Sequence, residues 1–158
     1  GTRHSGGQYA LGAVEGKHLR DDLGADPGGR AATRSADGHH ARRRLEDFFK
    51  REARKSLEAR ALEYSAGLGV KPSRVTVRDT ASRWGSCSSS RLLSFSWRLI
   101  LAPEFVLDYV VAHEVAHLRE MNHSSRFWAH VRSLVADIDT PQDWLKAHGR
   151  ELQRYGVG

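Results

Sequence analysis

A chain of 158 residues with a formal net charge of +6, 39% hydrophobic and 28% charged residues, has the size and composition of one globular domain with a modest core. Its single cysteine, Cys87, excludes an intramolecular disulfide framework and fits a reducing compartment. No apolar run approaches the length of a membrane span and no charged-then-apolar leader is visible, so no membrane association is expected and the expected location is cytoplasmic.

Residues 1–40 read as a partial N-terminal region with a Gly-rich linker, and residues 41–158 as the main domain. The first forty residues hold nine of the fifteen glycines, and Gly24-Ala25-Asp26-Pro27-Gly28-Gly29 cannot sustain regular structure. Gln8 to Val14 has the pattern of a short strand, and residues 24–39 read as a linker or insertion. From Ala41 to about Gly67 the pattern is helical, with Leu45, Phe48, Phe49, Leu57, Ala61, Leu62 and Tyr64 as its apolar face. Residues 30–60 carry ten Lys or Arg against five acidic residues, a net of +5. A basic helix over 42–60 can track a phosphate backbone, which makes nucleic acid a candidate partner; the alternative is a solvated face with ordinary ion pairs. No zinc-finger, helix-turn-helix or RNA-recognition pattern accompanies it.

Ser73 to Asp79 alternates Val75 and Val77 with Arg74, Thr76 and Arg78, the pattern of a half-buried strand. Cys87 lies among serines in an expected loop. Leu93, Phe95, Trp97 and Leu99 alternate with Ser94, Ser96 and Arg98, which predicts a second strand. Pro103 and Glu104 open a helix in which Phe105, Val106, Tyr109, Val110 and Ala116 recur at helical spacing. Further helices are expected over about 125–136 and from Pro141, the last capped by Thr140 with Asp143 and turning Trp144, Leu145, His148, Leu152 and Tyr155 inward.

The helix after Pro103 ends in His113-Glu114-Val115-Ala116-His117. Residues four apart share a helix face, so His113 and His117 can turn both imidazoles toward one metal ion. Glu114 can reach water at that metal without being a ligand, the placement a general base requires. Two residues compete as third ligand. Glu120 joins the same face if the helix continues, whereas His123 would then lie about 9 Å beyond His117. Asn122 tolerates a left-handed helix cap and Ser124 has the character of the next N-cap, so a tight turn between helices favours His123 and leaves a fourth position open.

Ser82-Arg83-Trp84-Gly85-Ser86-Cys87-Ser88, then Leu93 to Ile100, then His113 to Leu118 and Met121-Asn122-His123-Ser124 with Phe127-Trp128, together resemble the YgjP-type metallopeptidase domain. That family belongs to the zincin peptidases and is related in fold to the SprT-like and WLM groups. The resemblance covers roughly residues 42–155. It implies an α+β, zincin-like fold, a small β-sheet packed on the metal-bearing helix with flanking helices. It also implies a zinc-dependent hydrolase of peptidase type, with His113, His117 and His123 as ligands and Glu114 as catalytic residue. Arg91 stands where the family usually carries a turn glycine, which predicts a longer or differently shaped turn. Glu120 stands where metzincins carry Gly, and no second Met makes their Met-turn.

The strand before the motif helix resembles the edge strand along which zincins align an extended peptide, which nominates Ser94 and Arg98 as substrate contacts. Trp84 and Gly85 can shape the cleft by aromatic area and close backbone approach, or simply cover the core. Arg83 and Arg98 can hold an oxyanion or carboxylate, or pair with a structural acid. The expected cofactor is one Zn2+ per chain, with Ni2+ or Co2+ as substitutes. The expected partner is a peptide or protein substrate. The alternatives are a metal-dependent hydrolase of nucleotide phosphoanhydrides and a nucleic-acid-associated module with a structural zinc.

Overall fold

In α2 (Glu104–Ala116), ten of thirteen residues are buried, so this helix is no amphipathic surface helix and must be covered on every side. The computed structural model, which describes residues 9–12, 36–80 and 82–155, shows how. A four-stranded sheet lies on one side of α2, and α1 (Ala36–Gly67), α3 (Ser125–Leu134) and α4 (Asp139–Gln153) pack on the others. The fold is α+β and zincin-like, as expected.

The strands β1 (Tyr9–Gly12), β2 (Arg74–Arg78), β3 (Arg83–Cys87) and β4 (Leu92–Ser96) are ordered β1-β3-β4-β2. β3 pairs antiparallel with both β1 and β4, and β4 pairs parallel with β2. β1 falls inside the strand expected over Gln8 to Val14. Two expectations fail here. β4 is an interior strand with both edges occupied, so no peptide can add to it. Cys87 does not sit in a loop but ends β3, a strand that Arg83-Trp84-Gly85-Ser86-Cys87 conceals because it contains no β-branched residue and a central glycine.

The alternation that predicts a strand to Leu99 breaks at Trp97. Ser96 Oγ accepts the backbone N–H of Arg98 at 3.3 Å and starts a 3-10 turn over Trp97–Leu101. Trp97, Arg98 and Leu99 are all buried in consequence, which a two-faced strand could not achieve.

α1 starts earlier than expected, at Ala36, so residues 36–39 of the expected linker are helical; residues 24–35 lie outside the described residues. Its buried stripe is Ala53, Leu57, Ala61 and Ser65, spaced four apart. Leu45, Phe48 and Leu62, expected inside, are 46%, 47% and 54% exposed, because they lie off the helix face that the Ala53–Ser65 stripe buries. Phe105 is also exposed at the start of α2. α4 begins at Asp139 rather than Pro141. Asp137 Oδ1 accepts the N–H of Thr140 at 3.1 Å in place of the expected Thr140–Asp143 cap. Its buried positions are Pro141, Leu145, Gly149 and Gln153, and His148 faces outward.

The β3–β4 hairpin keeps a compact turn despite Arg91. Arg91 N–H donates to Ser88 C=O at 2.9 Å, Ser88 N–H to Leu92 C=O at 3.0 Å, and Arg91 takes φ +68°, the left-handed conformation a glycine would supply. The turn is therefore neither longer nor reshaped; the arginine carries the strain. Arg91→Gly is expected to raise unfolding stability by about 1 kcal/mol in urea denaturation. Equal or lower stability would mean that contacts of the Arg91 side chain outweigh the strain.

Candidate metal centre

The last turn of α2 places His113 and His117 side by side with ring centroids 5.1 Å apart. The helix ends at Ala116, several residues before Asn122. Its final turn tightens as Leu118 N–H donates to Val115 C=O and Arg119 N–H to Ala116 C=O. No left-handed cap is used at Asn122, since Arg91 is the only non-glycine with positive φ among the described residues. The chain then turns back, and Ser124 Oγ caps α3 by accepting the N–H of Phe127 at 3.3 Å. This early stop brings His123 to the other two. One ligand atom from each of His113, His117 and His123 lies within 4.8 Å of the others.

Glu120 contributes differently from a ligand. Its backbone carbonyl lies 3.1 Å from His117 Nδ1, and a carbonyl only accepts, so Nδ1 carries the proton and Nε2 keeps its lone pair. His113 Nδ1 likewise donates to Glu114 Oε1 at 3.0 Å and leaves Nε2 for a metal. Burial pushes His113 down from 6.5 to about 4. Burial, reinforced by His113, pushes His117 down to about 3, and His123 is lowered by the same two causes. All three imidazoles are therefore neutral at pH 7 and need release no proton to coordinate. Three neutral imidazoles, two of them with the tautomer fixed at His113 and His117, fit a borderline-soft divalent ion such as zinc.

α3 supplies the packing beneath the rings. Phe127 stacks on His117 at 4.5 Å and meets His113 and His123 edge-on at 5.0 and 4.9 Å. Trp128 stacks on His123 at 6.2 Å. These two aromatics leave the imidazoles little rotational freedom.

Glu114 is fully buried beside this cluster, with the backbone of β3 passing directly over it. A Cβ at Gly85 would lie 2.9 Å from Glu114 Cγ and 3.2 Å from both Phe95 Cδ1 and Val110 Cγ1. Only glycine permits this approach. Cys87, two residues on, is 1% exposed, and burial first, with Glu114 adding, pushes its thiol up to about 12. It stays protonated and is no part of the His cluster.

The three nominated substrate contacts do not hold. Trp84 is 1% exposed and packs against Gly149 of α4, where a Cβ would meet its Cζ2 at 3.3 Å; it belongs to the core. Arg98 is 2% exposed, and its guanidinium is committed to Asp79 Oδ1 at 2.6 Å and the Tyr155 carbonyl at 2.9 Å. Ser94 bonds Thr76 at 2.8 Å and pairs with Ser86. Its neighbours Leu93 and Phe95 face the core, and Phe95 is the partner of Gly85, so Ser94 points away from Glu114. Tyr109 is buried, with its hydroxyl accepting from Gln142 Nε2 at 2.9 Å. Sequence reasoning missed the aromatic floor of Phe127 and Trp128 and the Glu120 carbonyl. The adjacency of the two aromatics to the Ser124 cap was the available signal for the first.

His123→Ala is expected to abolish stoichiometric zinc binding in elemental analysis of the dialysed protein, while Glu120→Ala keeps about one ion per chain. Retention of metal in the first variant and its loss in the second would reverse the ligand assignment.

A family profile described as the YgjP-like metallopeptidase domain matches residues 2–148. That span begins well before the motif resemblance and takes in β1 as well as the three histidines and Glu114. No curated protein and no solved structure matches the chain. With the profile covering nearly its whole length, the chain belongs to the YgjP-like metallopeptidase domain family.

Proposed function

We propose that this protein is a zinc-dependent peptidase, with His113, His117 and His123 holding the metal and Glu114 as general base. The observation that carries this reading is a fully buried carboxylate in contact with a three-imidazole cluster whose outer member, His123, is solvent-exposed. Three protein ligands with one side open is the ligand count of catalytic rather than structural zinc. Zinc bound there would polarise the scissile carbonyl and lower the pKa of a water molecule. Glu114 takes the proton at a carboxylate oxygen and passes it to the leaving amine. Burial against Gly85 and Val110 limits where that carboxylate can go. An extended peptide can add to a sheet edge, and among the described residues the edges are β1 and β2.

Hydrolysis of phosphoanhydrides is disfavoured because zinc phosphohydrolases gather more carboxylates, and among the described residues the cluster contains imidazoles alone. Nickel or cobalt suits the same donors. No helix among the described residues is long and apolar enough to cross a membrane, and the lone buried cysteine is compatible with the cytoplasm.

The test is a proteome-derived peptide pool incubated with zinc-loaded protein or its Glu114→Gln variant and read by mass spectrometry. Cuts are expected with the native protein and should fall by about a hundredfold or more in the variant. An uncut pool with metal bound, or equal cutting by both proteins, would contradict the assignment.

A further inference from the structure

The hairpin glycine position held by Arg91 is strained, and its side chain does not point into empty solvent alone. Arg91 lines an open basin of about 600 Å3 with Gly69, Val70, Lys71, Leu118 and Arg119. Three cations thus converge from three separate segments: the loop after α1, the hairpin tip and the turn after the metal helix. No acidic side chain lines the basin, and none of the three forms an ion pair among the described residues.

Arg119 is held in place rather than free to wander. Its Nε and Nη2 both donate to the Leu68 carbonyl, at 3.0 and 2.6 Å. Gly69 makes room for it, since a Cβ there would lie 3.2 Å from Nη2, and Gly69 itself takes φ +66°. The two bonds leave part of the five-donor guanidinium fork for another acceptor.

The basin is tied to the metal helix through its lining, because Leu118 directly follows the ligand His117. Arg119 follows His117 by two residues. Arg91 sits at the tip of the hairpin whose first strand, β3, brings Gly85 against Glu114. Backbone strain in a non-glycine residue persists where the surrounding structure over-determines it, and such residues cluster at binding sites. At this turn the cost falls on the one residue that adds a third cation to the basin.

We infer that Lys71, Arg91 and Arg119 form a subsite for a carboxylate of the bound peptide, an inference that rests on the peptidase reading above. The planar fork of arginine matches a carboxylate, and a compact group of three cations suits one or two acidic groups. A nucleic-acid backbone would call for a longer track of cations. The carboxylate comes either from an Asp or Glu side chain or from the free C-terminus of the substrate.

The experiment uses the full chain, zinc-loaded and carrying Glu114→Gln so that bound peptide is not consumed. Fluorescent pools of short random peptides are titrated by anisotropy. One contains Asp and Glu with an amidated end, one has Asn and Gln in their place with a free C-terminus, and one is neutral throughout. The subsite predicts that one of the first two binds about fivefold tighter than the neutral pool, near the upper end for exposed ion pairs. Which pool is favoured identifies the source of the carboxylate. Adding Arg91→Gly, which supplies the residue the turn prefers, should bring the affinity ratio to about one, and Arg91→Lys should keep part of it. Equal affinities for all pools, or a ratio untouched by Arg91→Gly, would overturn the subsite. Arg91-dependent binding of single-stranded DNA in preference to every peptide pool would overturn it too. A preserved, Arg91-dependent ratio in a protein that cuts no peptide would uphold the subsite and remove the peptidase reading. Cutting without any such ratio would do the reverse.

Discussion

The fold is organised around a carboxylate kept out of water. Glu114 is fully buried, a costly position for a group that is normally charged, and the surrounding structure offsets that cost locally. His113 Nδ1 donates to it from the preceding residue, and β3 closes over it at the one position where the backbone can come that near. From this follow the glycine in the middle of a strand, the burial of nearly every residue of α2, and the choice of Phe95 and Val110 as the neighbours that complete the enclosure. A metal on the three imidazoles would add a positive charge beside the same carboxylate.

The centre also depends on where one helix stops. Had α2 continued, Glu120 would share the face of His113 and His117, and His123 would be carried away. Ending at Ala116 lets the Glu120 carbonyl orient His117 while His123 returns to the cluster. The aromatic pair that opens α3 then packs against the three rings. The helix end, the tautomer and the third donor are consequences of a single turn.

Much of this was legible in the residues. The His113–His117 spacing, the Ser124 cap and the Val75/Val77 alternation rest on local periodicity or capping, and local rules survive folding. The sequence argues the return of His123 from a cap at Asn122 that the chain does not use, the helix stopping at Ala116 instead. What was not legible depends on partners distant in the chain. Nothing in Arg83-Trp84-Gly85-Ser86-Cys87 reads as a strand until β1 and β4 flank it, and nothing local makes β4 an interior strand. Arg98 reads as an exposed strand residue until Ser96 diverts the backbone and Asp79 receives the guanidinium. Leu45 and Phe48 read as core because periodicity reports a face but not what lies opposite it. The Arg91 turn stands between these cases. The sequence marks the strained position, but only the assembled fold brings Lys71 and Arg119 beside it.

The central claim is that three histidines hold a catalytic metal beside Glu114 and leave one side open. X-ray absorption at the zinc edge of the loaded protein tests it directly. The expected spectrum is that of three imidazole nitrogens and one light oxygen donor, with no sulfur. A sulfur ligand would bring Cys87 into the site, and four protein ligands would make the zinc structural; either result would contradict the account.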